Sequence, residues 1–197
     1  MNTTDPSLPA LILRRPFYFM RHGEADWNVE RLCIGQLDRP LTSRGRNQAE
    51  GARRHCAELP ISVVFHSPLS RAAETAARAM HGRELSMNVE DGLIEACLGV
   101  KQGAREDDLA DQFIRGWIRG ERIDQAESYS GFQLRVCAAV NRCLAASGSS
   151  GAPLLVAHAG VYHALRDAMG APVGRVLHCV PYFHRPDGDE WHTEALT

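Results

Sequence analysis

Lysine is almost missing from this chain: Lys101 is the single example in 197 residues, so the 22 basic side chains are nearly all arginine. Genomic composition accounts for most of that bias. Arginine is still the better residue for bidentate phosphate contacts, which marks individual arginines for inspection. Strong net charge is lacking too. A formal charge of -2 gives no general attraction to nucleic acid or to a membrane surface, and neither is expected as a partner. No apolar run approaches the length needed to span a bilayer. The polar stretch Met1–Ala10, with two prolines, lacks the basic start, long apolar run and small-residue cleavage site of a signal peptide. A cytoplasmic location and a loose N-terminal tail over residues 1–15 are therefore expected. The six cysteines form no CxxC pair and no metal-ligand spacing with histidine. Most sit in apolar runs, where cysteine acts as a small hydrophobe. Free thiols in a reducing compartment are expected, with no metal site and no cofactor.

What is present is ordinary globular material. Hydrophobic residues make up 44% of the chain, enough at this length to bury a sizeable core. Three short apolar runs read as buried strands: Phe17 to Met20, Ile61 to Phe65 and Leu154 to Ala157. Each is followed by a polar or glycine-containing turn and then by a helical segment: Ser43 to Leu59, Ser70 to Met80 and Val161 to Met169. The clearest helix is Ser130 to Ala146, where Phe132, Val136, Val140 and Leu144 recur every four residues and Ser130 is the expected N-cap. Strands alternating with helices predict an α/β three-layer sandwich, with a mainly parallel central sheet and helices on both faces. Near the C-terminus, Pro186-Asp187-Gly188-Asp189 separates two extended runs and predicts an antiparallel edge. Ser147 to Gly151 reads as a loop. Residues 103–125 read as a helical insertion near the site, with Phe113, Ile114, Trp117 and Ile118 on one face. The open sheet edge and the terminal hairpin offer surfaces through which two copies could pair as a homodimer.

In open parallel sheets, ligands bind beyond the carboxyl ends of the strands. After the first strand come Arg21, His22, Gly23 and Glu24. After the second come Ser67, Pro68, Leu69, Ser70 and Arg71. After the third come His158, Ala159 and Gly160. A lone histidine or arginine after a strand is more often a solvated or hydrogen-bonded side chain than a catalytic group. The conjunction is much more specific, because two histidines and two arginines arrive at one sheet edge from three parts of the chain. A helix begins close to two of these turns, and its free N–H groups favour an anion.

Arg21-His22-Gly23-Glu24-Ala25-Asp26-Trp27-Asn28 resembles the RHGExxxN signature of the histidine phosphatase superfamily, which includes the cofactor-dependent phosphoglycerate mutases. Gly35 to Thr42 with Gly45 and Gln48-Ala49, Ser67 to Ala72 with Glu74-Thr75-Ala76, Leu93-Ile94-Glu95, and Val156 to Val161 are similar to its later blocks, in family order. The resemblance implies one domain of that type over residues 16–197. It implies that His22 is the nucleophile, forming a phosphohistidine that splits one displacement into two. Arg21, Arg71 and His158 would balance charge on the transferring oxygens, His158 best as an imidazolium. Asn28 is similar to a family residue that bonds a phosphate oxygen, and Gly35, Gln36 and Ala159 fall in its phosphate-binding blocks. Glu95 would give a proton to the leaving oxygen and take one from water.

Departures from the pattern bear on substrate. Ala25 stands where threonine is common, and Ala159 where a second glycine is common. Ala96 follows the acid, where mutases carry arginine, and the run to Gly103 departs from the usual Trp-Glu-Gly ending. The reading that follows is a metal-independent phosphomonoesterase acting on a small phosphorylated metabolite. Mutase-type transfer, a protein phosphatase and a non-catalytic phosphate-binding module on the same fold are the alternatives. Arg115, Arg119 and Arg122, at helical spacing, read as a solvated basic face, with a substrate-carboxylate or second-phosphate site as the alternative. Phe183, His184, Trp191 and His192 read as packing in the terminal hairpin.

Overall fold

The computed structural model describes residues 11–105, 108–148, 151–171 and 174–197. Residues 1–10 of the expected tail, and parts of the expected 103–125 insertion and 147–151 loop, lie outside them. Six strands form one sheet: β1 (Phe17–Arg21), β2 (Ile61–His66), β3 (Met87–Val89), β4 (Ala152–Ala157), β5 (Pro181–Asp187) and β6 (Glu190–Ala195). Among the described residues six α-helices accompany it: α1 (Asp26–Val29), α2 (Ser43–Cys56), α3 (Ser70–Ala79), α4 (Asp108–Ile118), α5 (Tyr129–Ala146) and α6 (Ala159–Ala168). The strand order is β3-β2-β4-β1-β5-β6, with β1 to β4 mutually parallel and β5 and β6 antiparallel at the C-terminal side. This is the mixed α/β sandwich expected from the alternation of strands and helices.

Successive residues of a strand face opposite sides of the sheet, and here both sides are cores. Phe17, Phe19, Leu155 and Ala157 pack with Phe132, Val136, Val140 and Leu144 of α5 and with Val161 and Leu165 of α6. Tyr18, Met20, Leu154 and Val156 pack on the other side with Ala49 and Ala52 of α2 and Ala72 and Ala76 of α3. Strands buried on both faces must be continuously apolar, which is why β1 and β4 stand out in the sequence. Leu144 is fully buried at the far end of α5 from the strand termini discussed below. Leu144→Ala is expected to lower unfolding free energy by about 2–5 kcal/mol, read from the denaturant midpoint. A loss below about 1 kcal/mol would contradict this packing.

Several expected boundaries shift for local reasons. Helix α5 is capped by Ser128, whose hydroxyl accepts from the Gly131 N–H at 3.1 Å, and not by Ser130, which lies inside the first turn. Helix α2 stops at Cys56, short of Leu59, because the residue before Pro60 is driven out of the helical region. Helix α6 starts at Ala159 directly from an extended His158, with no intervening turn. Strand β3 was not anticipated. It is three exposed residues that become a strand only by pairing with Val64–His66. The expectation of a loose tail is corrected at residues 11–15. There Ile12 is buried, the Leu13 N–H donates to Asn141, and Arg14 and Arg15 donate to carbonyls of 188–190 and of Leu144 and Gly148. Helix α4 ends at Ile118 and Gly120 takes a left-handed φ of 95°, so Arg119 and Arg122 leave the helix face that Arg115 occupies, although all three are exposed. All six cysteines are free. Among the described residues, no helix is long and apolar enough to cross a membrane.

Candidate active site

Strand β4 lies between β1 and β2, so the three strand ends picked out in the sequence are neighbours. The His22 N–H donates to the Ala157 carbonyl at 3.0 Å, and the Ser67 N–H donates to the Val156 carbonyl at 3.0 Å. These bonds continue the sheet one residue past its strands and fix where His22, Ser67 and His158 leave it. Gly23 must be glycine, because any β-carbon there would run into the Gly45 backbone. Its N–H donates to Thr75 Oγ1 at 3.0 Å, and the Thr75 hydroxyl donates to the Arg71 carbonyl at 2.7 Å. The loop after β1 is thereby tied to helix α3.

His22 is 3% exposed, and its Nδ1 lies 2.6 Å from the Gly23 carbonyl oxygen. A carbonyl only accepts, so Nδ1 carries the hydrogen and Nε2 is left with a lone pair. Burial, followed by the neighbouring His158, Arg71 and Arg21, pushes the His22 pKa well below the ordinary histidine value. The ring is therefore neutral near pH 7, as a nucleophile must be.

His158 is fully buried, with its ring centroid 5.1 Å from that of His22. Its Nε2 is 2.7 Å from Ser67 Oγ, which also accepts the Leu69 N–H. The hydroxyl has a hydrogen to give and a second lone pair to accept with, so this contact suits either tautomer of His158. Nδ1 meets no hydrogen-bond partner among the described residues. Burial and the charges of Arg71 and Arg21 also lower the His158 pKa well below 6.5. Both effects oppose a charge on this ring, and the anionic oxygens of a phosphoryl group would act in the opposite sense.

Arg71 is 1% exposed at the first turn of α3. Two of its donors hold the Leu37 and Gly35 carbonyls at 2.8 and 2.9 Å, shaping the loop that carries Gly35 and Gln36. Its Nε has no partner among the described residues. A buried donor left unpaired costs about 1–3 kcal/mol, a cost that a bound anion removes. Arg21 reaches the Val176 carbonyl at 3.3 Å. The Asn28 side-chain oxygen accepts the Ala25 N–H at 2.9 Å, so its NH2 end is the one left to serve a ligand.

Glu95 joins the same cavity from the loop before α4. Its two carboxylate oxygens accept the Ala96 and Gly160 N–H groups at 2.9 and 3.0 Å. Gly160 allows this approach, since a β-carbon there would strike the carboxylate. Gln36 is outside the cavity lining. It braces Glu95 instead, donating from Nε2 to the Glu95 carbonyl at 3.0 Å.

The cavity has a volume of about 380 Å³ and is lined by Arg21, His22, Asn28, Gly35, Arg71, Glu95 and Ala159 among the expected residues. His158 stands behind His22 and outside that lining. Sequence reading missed Arg31, Cys33, Ile34, Leu98, Tyr129, Phe132 and His163, which also line it. His163 was detectable, since it lies one helical turn after Ala159 on α6. His178 was missed as well, although its Nδ1 donates to the His22 carbonyl at 2.6 Å. Burial, chiefly, lowers its pKa to about 4, so this bond is made by a neutral ring. His178→Ala is expected to lower kcat roughly 10-fold through misplacement of His22, with KM little changed. An unchanged kcat would show that the bond does not hold the nucleophile in place. Among the described residues, no three His, Cys, Asp or Glu side chains form a set that could hold a metal ion.

The chain is similar to known proteins in sequence and in fold. Residues 17–181 match the family model of the histidine phosphatase superfamily (branch 1). A probable phosphoglycerate mutase GpmB of Enterobacter sp. (strain 638) is 33% identical over 175 residues, covering 85% of this chain and 77% of that protein. The Bacillus stearothermophilus YhfR structure has a TM-score of 0.78 at 25% identity, covering 91% of this chain and 95% of its own. The mycobacterial glucosyl-3-phosphoglycerate phosphatase Rv2419c also has a TM-score of 0.78 at 25% identity, covering 92% and 98%.

Proposed function

This chain belongs to the histidine phosphatase superfamily, a family of phosphoryl-handling enzymes, and on that premise we propose that it hydrolyses a small phosphomonoester through a phosphohistidine on His22. The observation that carries the proposal is the Nδ1–H of His22 held by the Gly23 carbonyl, which leaves Nε2 bare beside Arg21, Arg71 and His158. Nε2 attacks phosphorus in line. The nitrogen–phosphorus bond forms as the bond to the leaving oxygen breaks, and Glu95 supplies the proton that oxygen needs. Water then attacks the phosphohistidine and loses a proton to Glu95, returning free His22 and inorganic phosphate. Arg21, Arg71, Asn28 and the positive N-terminal end of α6 balance the charge on the non-bridging oxygens. His158 gains its proton most readily once that charge has arrived. No step calls on a metal, because the arginines carry the positive charge.

Mutase chemistry is favoured by one finding, the name of the GpmB relatives. Against it, Ala96 occupies the position after Glu95 where the mutases carry arginine, and it is buried. The deciding experiment mixes the protein with 3-phosphoglycerate and its 2,3-bisphosphate primer. Phosphate release should outpace formation of 2-phosphoglycerate. The opposite order would replace hydrolysis with transfer.

Glu95 has its own test. Glu95→Gln should slow esters of poor leaving groups, such as sugar alcohols, by roughly 100-fold or more, while sparing p-nitrophenyl phosphate. Equal slowing of both would remove Glu95 as the proton donor.

A further inference from the structure

We infer that the ester this site takes carries a compact apolar or aromatic alcohol, and not a polyol or a second acid group; this rests on the hydrolytic reading above. The cavity has two unlike ends. One is made of His22, Arg21, Arg71, Asn28 and Glu95 and suits the phosphoryl group. Most of the rest of the wall is apolar: Ile34, Leu98, Ile114, Trp117, Ile118 and Phe132, with Tyr129 beside them.

The polar ends of the aromatic residues are already committed. Trp117 Nε1–H donates to the Glu127 carbonyl at 2.7 Å, and the Tyr129 hydroxyl donates to Asp167 at 3.0 Å. The indole ring packs on Tyr129 at 5.2 Å and on Phe132 at 5.7 Å between centroids, so the three rings form one packed cluster at the cavity. Arg135, behind Phe132, is likewise taken up by Glu127 and by the Gly92 and Ile94 carbonyls. A sugar hydroxyl pressed against such a wall would lose its water and find no partner. An apolar group would be buried at a gain.

Two polar residues line the cavity outside the phosphoryl end. His163 is held neutral by burial and the charge of Arg21. Arg31 is exposed, on left-handed backbone with φ 55°. Among the described residues lining that part, Arg31 is the one that could receive a substrate carboxylate, so the test must include such a substrate.

The full chain would be assayed for phosphate release from benzyl phosphate, glycerol 3-phosphate and 3-phosphoglycerate. All three are esters of primary alcohols, so leaving-group chemistry differs little. The expected result is a kcat/KM for benzyl phosphate about 10-fold or more above both others. Brisk release that favours glycerol 3-phosphate or 3-phosphoglycerate overturns the apolar inference and leaves the hydrolytic reading standing. No release from any ester, with 2-phosphoglycerate formed from 3-phosphoglycerate and primer, overturns the hydrolytic reading and this inference with it. Ile114→Ser and Ile118→Ser should each narrow the benzyl-to-glycerol ratio by roughly 3-fold or more, in line with the apolar surface removed. Ile118 is 46% exposed, so its replacement leaves the fold intact. A ratio that neither variant moves would overturn the inference.

Discussion

His22→Ala should lower phosphate release by about 10,000-fold or more, with the protein still folded. The size follows from what is removed. Arg21, Arg71 and Asn28 remain and still bind a phosphoryl group, but the atom that attacks it is gone. Water cannot take over easily, because the space Nε2 leaves is enclosed: His22 is 3% exposed and flanked by the buried His158 ring. His22→Asn is a useful companion, since it keeps a polar group near the Gly23 carbonyl yet offers no basic nitrogen. Both variants should still bind inorganic phosphate, measured by calorimetry. Turnover within about 10-fold of the parent in either would show that phosphorus is attacked directly by water.

Arg71→Lys should cost about 100-fold or more in kcat/KM, and the charge it conserves should help little. The guanidinium does two jobs at once. Two nitrogens hold the Gly35 and Leu37 carbonyls, and Nε, buried and without a partner among the described residues, is a donor awaiting an anion. A lysine ammonium is a point charge on a flexible stem and cannot satisfy two carbonyls and a phosphoryl oxygen in that planar arrangement. The loss should appear in kcat as well as KM, because the loop bearing Gly35 and Gln36 also braces Glu95 through the Gln36–Glu95 bond. A variant with parental kcat and only a raised KM would limit Arg71 to substrate binding.

What could be read beforehand was the part that local physics dictates. Strands β1 and β4 are buried on both faces, so their apolar runs announce them. The arginines and histidines just past them were legible because strand ends are where such sheets bind ligands. Strand β3 was not legible, since Met87–Val89 is exposed and owes its form to β2 alone. Arg31 depends on a left-handed turn after α1 that nothing in its side chain encodes. His178 reaches the nucleophile through a bridge to Arg21, 157 positions earlier in the chain, a pairing that no spacing rule reports. The cavity wall was half visible: Ile114, Trp117 and Ile118 were recognisable as one helical face near the site, but the packing of Trp117 on Tyr129 and Phe132 of α5 was not.

The charge state of His158 illustrates a different limit. The resemblance implies an imidazolium when His158 holds phosphoryl oxygens, and it carries no sign of the burial and the Arg71 and Arg21 charges that press the ring's pKa down. Burial and neighbouring charge exist only in the folded protein.

The most direct measurement is to trap the intermediate and locate its phosphorus. The full chain would be mixed with p-nitrophenyl phosphate, quenched in alkali within milliseconds, and examined by phosphorus NMR and peptide mapping. The geometry predicts an acid-labile, alkali-stable phosphoryl group on Nε2 of His22, because Nδ1 is committed to the Gly23 carbonyl. Phosphorus on Nδ1, on His158 or on no residue at all during steady turnover would contradict the account.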